Sequence, residues 1–412
     1  METAHPSGSL YGPWGQEGFA VAHTKHRRRK EWFAALLLIL GFAAAAGGVA
    51  LMTPTEQYIV IAQNDLGMHC MQNDFSQMMI LPPFNTVRAQ VIRRGVEPEI
   101  VESGVTVSYR LPTNTHSADK TNFWRYVQAL MGLNTAPDIG IFGAPMAGNM
   151  IYDPARRDFK MEGIPVTPID DDGKENPYPL AHVTVRRSGV SVAETQTVVP
   201  VSWEMSCNIC HTTPGETVAT NILKAHDRLH ATNLVGSQPV FCASCHSDNA
   251  LGTPGNVGVP SLSSAMHLAH ADRMAAANLA TDCYACHPGV RTNCLRDVHA
   301  AKGMSCINCH GGMSEVGNPS RNPWVEQPRC DSCHSRPGFQ FEQPNTLFRN
   351  SIGHGGVACV TCHSSPHAIS PATTATDNAQ HLRLQGDPGK ISNCAVCHTQ
   401  QPGEKFFHSV EH

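Results

Sequence analysis

Between residues 207 and 398, two cysteines stand three positions apart seven times, each time with a histidine directly after the second. The clusters are Cys207/Cys210/His211, Cys242/Cys245/His246, Cys283/Cys286/His287, Cys306/Cys309/His310, Cys330/Cys333/His334, Cys359/Cys362/His363 and Cys394/Cys397/His398. Two thiols three positions apart lie on one side of a helical turn. Zinc ribbons pair such thiols but need no histidine after every pair. A thioredoxin-like site uses a single pair on a βαβ frame, and iron–sulfur ferredoxins use tighter cysteine runs. Disulfides give no reason to fix the following histidine. Covalent haem uses all three groups: the thiols add to the two vinyl groups as thioethers, and the imidazole reaches the iron from one face.

Seven irons with two imidazoles each need seven further histidines, and the chain has 23 in all. Position selects eight candidates. His226 and His230 share a face of a predicted helix at i and i+4, and His267 and His270 do so at i and i+3. His299 precedes the fourth motif and His354 the sixth, His367 follows the sixth and His408 the seventh. His69 is a ninth candidate, with His381 and His412 behind it. Met205, Met304 and Met313 lie near motifs, but the supply of histidine favours imidazole on both sides of each iron.

The elements that must position these groups fall into unequal parts. Residues 1–31 form a flexible segment ending in a basic run, Lys25, Arg27, Arg28, Arg29 and Lys30. Residues 32–52 then run without a charge, which predicts a signal or membrane-anchor helix with its basic flank in the cytoplasm and the remainder exported. Cleaved signal and uncleaved anchor both remain open. Residues 53–200 read as a β-rich domain: short β-branched runs recur at 58–61, 87–92, 105–109, 182–185 and 198–201, with a helix at 122–131. Residues 203–412 lose regular periodicity and hold 14 of the 16 cysteines in the motifs, besides Cys294. At about 30 residues per motif they need apolar bulk from elsewhere, and haem faces would supply it. Composition excludes other classes. With 41% apolar residues, 16% charged and a net charge of -4, the chain is not a disordered polymer, a multi-span membrane protein or a nucleic-acid coat.

On its seven motifs, residues 203–412 resemble the multihaem c-type cytochromes. They are most similar to the bis-histidine electron-transfer cytochromes of anaerobic respiration, including subunits of extracellular cytochrome filaments. The resemblance implies seven covalent haems c and electron transfer on the periplasmic or extracellular side, with redox proteins of the membrane or periplasm as partners and a homo-oligomer or filament as one form. The expected fold is a multihaem cytochrome c, mostly irregular with short helices in the carboxy-terminal half, behind a β-rich domain and a hydrophobic export helix. The alternatives are an oxidoreductase that reduces a nitrogen or sulfur oxyanion at one open haem, or a structural subunit of a filament or respiratory complex. The multihaem nitrite reductases often mark the open haem by lysine in place of the motif histidine, and no such motif occurs here.

Two cysteines lie outside the motifs. Cys70 and Cys294 are expected to pair as a disulfide in an oxidising compartment, with a metal site at His69 and Cys70 or two buried thiols as the other readings. The acidic run Asp170, Asp171 and Asp172 has the composition of a calcium site or of a solvated turn.

Overall fold

The computed structural model describes residues 57–277, 281–403 and 407–408. The basic segment 1–31, the apolar stretch 32–52 and His5, His23, His26 and His412 lie outside them.

Among the described residues thirteen strands form four sheets. They are β1 (Tyr58–Asn64), β2 (His69–Cys70), β3 (Met78–Met79), β4 (Thr86–Arg93), β5 (Glu99–Ile100), β6 (Thr106–Arg110), β7 (Ala147–Asn149), β8 (Ile151–Asp153), β9 (Asp158–Glu162), β10 (Leu180–Arg187), β11 (Val190–Val198), β12 (Val201–Ser202) and β13 (Val240–Phe241). The first sheet runs β1-β4-β9-β8 with β5 on β4, and the second β11-β10-β6-β7. Seven α-helices accompany them among the described residues: α1 (Phe123–Met131), α2 (Val218–His230), α3 (Leu262–Ala277), α4 (Cys306–His310), α5 (Met313–Val316), α6 (Cys359–His363) and α7 (Ala375–Gln385).

Strand β1 explains the layering. All seven of its residues are buried. Tyr58, Val60 and Ala62 point into a core shared with Val107, Tyr109, Val183 and Val185 of the second sheet. Ile59 and Ile61 point the other way, against Leu384 of α7 and Ile391 and Val396 beside the seventh motif. Side chains alternate faces along a strand, so an unbroken apolar run means cover on both sides. The first sheet is thus the middle layer, and its second cover comes from the motif-bearing region.

That region is also stitched into the strands. β12 pairs in parallel with β2, and β13 with β3. Gln90 of β4, fully buried, accepts from Ala358 N at 2.9 Å and Thr361 Oγ1 at 2.7 Å at the start of α6. Replacing Gln90 by leucine would leave both donors unpaired in the interior, at about 1–3 kcal/mol. Urea unfolding is expected to show that loss of free energy as a lower midpoint, with the slope unchanged.

The structure corrects the expected fold class. Over the described residues the molecule is a β-rich arrangement of several sheets with seven α-helices, not the mostly irregular multihaem cytochrome fold expected, and the export helix expected at 32–52 lies outside those residues. The carboxy-terminal half carries helices of 13, 16 and 11 residues. Among the described residues no helix is long and apolar enough to cross a membrane, and no three His, Cys, Asp or Glu side chains gather to hold a metal ion. The physical reason is local. Residues 262–277 are rich in Ala, Leu and Met, strong helix formers, and α2 starts at Thr217, whose side chain accepts from Thr220 N. Propensity and capping make these helices where apolar periodicity gave no signal.

Candidate functional site

Each motif closes as one helical turn. The histidine amide donates to the first cysteine's carbonyl in His211→Cys207 (2.9 Å), His246→Cys242 (3.1 Å), His287→Cys283 (2.8 Å), His334→Cys330 (2.9 Å) and His398→Cys394 (2.8 Å). The fourth and sixth motifs are the short helices α4 and α6 themselves. Both thiols and the imidazole of a motif therefore share a face.

Each motif imidazole is faced by a second imidazole from elsewhere in the chain. His211 faces His270 with ring centres 6.2 Å apart, His246 faces His226 at 6.3 Å, and His287 faces His267 at 6.1 Å. His310 faces His367 at 6.0 Å, and His334 faces His299 at 6.1 Å. His363 faces His408 at 5.8 Å, and His398 faces His354 at 6.2 Å. Two imidazoles on opposite sides of one metal, each at a metal–nitrogen distance of about 2 Å, have ring centres about 6 Å apart. The seven pairs fit that requirement, and a haem iron asks the protein for two axial ligands only.

The outer nitrogens support the same reading. Nδ1 of His246, His267, His270, His398 and His408 donates to the carbonyls of Pro260, Ser263, Met266, Val96 and Gln340 at 2.6–2.9 Å. His299 Nδ1 lies 3.1 Å from Asp297 Oδ2, and His367 Nδ1 lies 3.3 Å from Cys294 Sγ. His226 Nδ1 donates to Thr232 Oγ1 at 2.9 Å, and that hydroxyl donates on to Asp227 Oδ1 at 2.7 Å. Occupying Nδ1 leaves Nε2 of each ring free to ligate, the arrangement usual around a metal-bound histidine. Burial keeps several rings neutral: it pushes His287, His363 and His367 down to about 4. Burial also pushes the thiols up, Cys286 and Cys359 to about 11 and Cys242, Cys362 and Cys397 to about 12. An uncharged thioether suits these apolar surroundings.

The motif thiols are not all enclosed, which departs from the expected interior packed around haem faces. Cys210, Cys245, Cys309 and Cys333 are exposed, while the first cysteine of every motif is half-buried. In the second motif the cause is the turn itself. Ala243 is fully buried, and Cys245, two positions on, points to the opposite side of the turn. Its Sγ accepts from Ser244 Oγ at 3.8 Å, and the thiol whose field it shares is Cys242 of its own motif.

Helix α3 presents His267 and His270 to two different motifs. It packs closely on the residue after α5: a Cβ on Gly317 would come within 3.0 Å of His267 Cβ, and Ser264 Oγ donates to Gly317 O at 2.7 Å. Among the described residues, thiols of six motifs also lie in one another's electrostatic fields. Cys286 lies in the electrostatic field of Cys207 and Cys210, and Cys283 in that of Cys306. Cys309 senses Cys333, Cys330 senses Cys359, and Cys362 senses Cys397. These fields link the first motif to the third, and then the fourth, fifth, sixth and seventh in turn.

The remaining candidates lie elsewhere. His230 is exposed, its ring 4.8 Å from that of His226. His69 pairs with Asp65 at 2.9 Å, and buried His381 bonds to Ser370 Oγ and Gly389 O. The expected Cys70–Cys294 disulfide is absent: both thiols are free, and Cys294 is turned to His367. The carboxylates of 170–172 do not converge on an ion. Asp171 pairs with Lys120, Asp172 with Lys174, and Asp170 accepts from Asn176. Asp297, Thr232 and Cys294 escape a search for ligands because they touch the ligands' outer nitrogens. The short Asp297-x-His299 spacing is the one sequence trace of the first.

The chain matches no family model, no curated protein and no solved structure.

Proposed function

We propose that this chain is an electron carrier that holds seven covalent haems c and exchanges electrons with redox partner proteins outside the cytoplasm. The seven facing imidazole pairs, all with ring centres 5.8–6.3 Å apart, carry the reading. In each pair the motif cysteines would hold the macrocycle through thioethers and the two histidines would take the axial positions. A haem so held supplies a one-electron couple at its iron. The chain's own part is to bind, to fix both imidazoles and to keep a substrate from the metal. An open iron needs a motif histidine with nothing opposite it, and none of the seven is in that position, so transfer is favoured over oxyanion reduction.

The test is expression with export in a host that attaches haem c, followed by intact mass and electron paramagnetic resonance. Seven haems, all low-spin, are expected. A colourless folded product, or a product with a substantial high-spin fraction, would overturn the proposal.

A further inference from the structure

We infer that Asp297 is a positioning residue that makes the His334–His299 site the hardest of the seven to reduce. The inference rests on the proposed haem ligation and deepens it. Among the described outer contacts of the paired histidines, five are to backbone carbonyls, one to a hydroxyl and one to a thiol, and only His299 meets a carboxylate directly. A carboxylate accepting from Nδ1–H raises the basicity of the ligating nitrogen and so favours the ferric over the ferrous iron. Asp297 is held for this task. Its side chain is 4% exposed, and Oδ1 accepts from His299 N at 2.8 Å and Ala300 N at 3.0 Å while Oδ2 faces the ring. One side chain thus fixes both the backbone and the imidazole of the same ligand.

The adjacent site is built the opposite way. His367 has the Cys294 thiol on Nδ1, a weak acceptor that lends the ring little basicity. The charge of Asp297 also reaches His367, but without the hydrogen bond. Its removal should therefore move both sites in one direction and the His299 site further.

Asp297→Asn keeps an acceptor for both amides and removes the charge. Asp297→Ser keeps an N-cap and withdraws the group from the ring. Potentiometric titration followed by electron paramagnetic resonance is expected to show seven haems in each variant. One low-spin signal should change its g values and favour the ferrous state tenfold or more, about 59 mV for one electron, with every other shift smaller. Seven haems shifted equally, or not shifted, would overturn the inference and leave the electron-carrier reading intact. Loss of the haem on Cys330 and Cys333 in both variants would also overturn it, because Asp297 would then be needed for attachment rather than for tuning. A wild-type chain without haem would instead remove the function proposed above.

Discussion

Replacing Arg296 by alanine is expected to lower the unfolding free energy by about 3–5 kcal/mol, the usual cost of stranding one partner of a buried ion pair. Arg296 is 1% exposed and Asp377 7%. Nε and Nη2 hold the two carboxylate oxygens at 2.7 and 2.9 Å, a bidentate fork. Nη1 donates to Gly67 O and to Cys294 O, and the guanidinium lies 5.1 Å from the ring centre of Tyr178. One side chain therefore ties the β1–β2 loop, the segment before His299 and helix α7 together. Gly67 makes the approach feasible: it has φ +79°, and a Cβ there would collide with Pro366 O. Lysine at 296 is expected to recover little, since a point charge on a flexible stem cannot reproduce the fork. Arg296→Met combined with Asp377→Leu removes both charges and is expected to be much more stable than the single alanine variant. Urea unfolding followed by circular dichroism measures all three. Near-equal stability of the alanine variant and the native chain would contradict this account of the junction.

The motif turns and the histidines that face them were legible where they are written locally, and the fold only in part. The β-branched runs at 58–61, 87–92, 105–109 and 182–185 fall on β1, β4, β6 and β10, the run at 198–201 straddles the end of β11 and the start of β12, and the 122–131 helix lies over α1. Their apolar periods report a face packed on a core. Helices α3 and α7 gave no such signal, because their inward faces carry His267, His270 and His381 where a core helix has aliphatic residues. The pairing of imidazoles could not be read from order along the chain. His299 precedes the fourth motif yet faces His334 of the fifth, and His354 precedes the sixth yet faces His398 of the seventh. His367 follows His363 by four residues but faces His310. Nearness in sequence identifies histidines in the right region. Which motif each one meets depends on tertiary packing, such as the closeness of α3 to Gly317 and of Arg296 to the β1–β2 loop.

Under the electron-carrier proposal, the third motif is where a single deletion should do most harm to transfer. Its thiols neighbour those of the first motif through Cys286 and of the fourth through Cys283. Its imidazole, His287, lies in the fields of both His267 and His310. The seventh motif, in contrast, stands at the end of the same series, next to the sixth among the described residues. Cys283→Ala/Cys286→Ala and Cys394→Ala/Cys397→Ala should each remove one haem by intact mass, so the two variants are matched in cofactor content. Their kinetics should differ. Rapid mixing with a reductant is expected to reduce the seventh-motif variant in the same manner as the native chain. In the third-motif variant, reduction should separate into a fast and a slow population, because the site of His211 has lost its link to those of His310, His334, His363 and His398. The comparison controls for lost packing: both motifs sit among buried apolar groups, Ala285 in one and Val396 in the other. Equal single-phase reduction in the two variants would mean that electrons do not follow the order of motif contacts, and the series from the first motif to the seventh would not be the path.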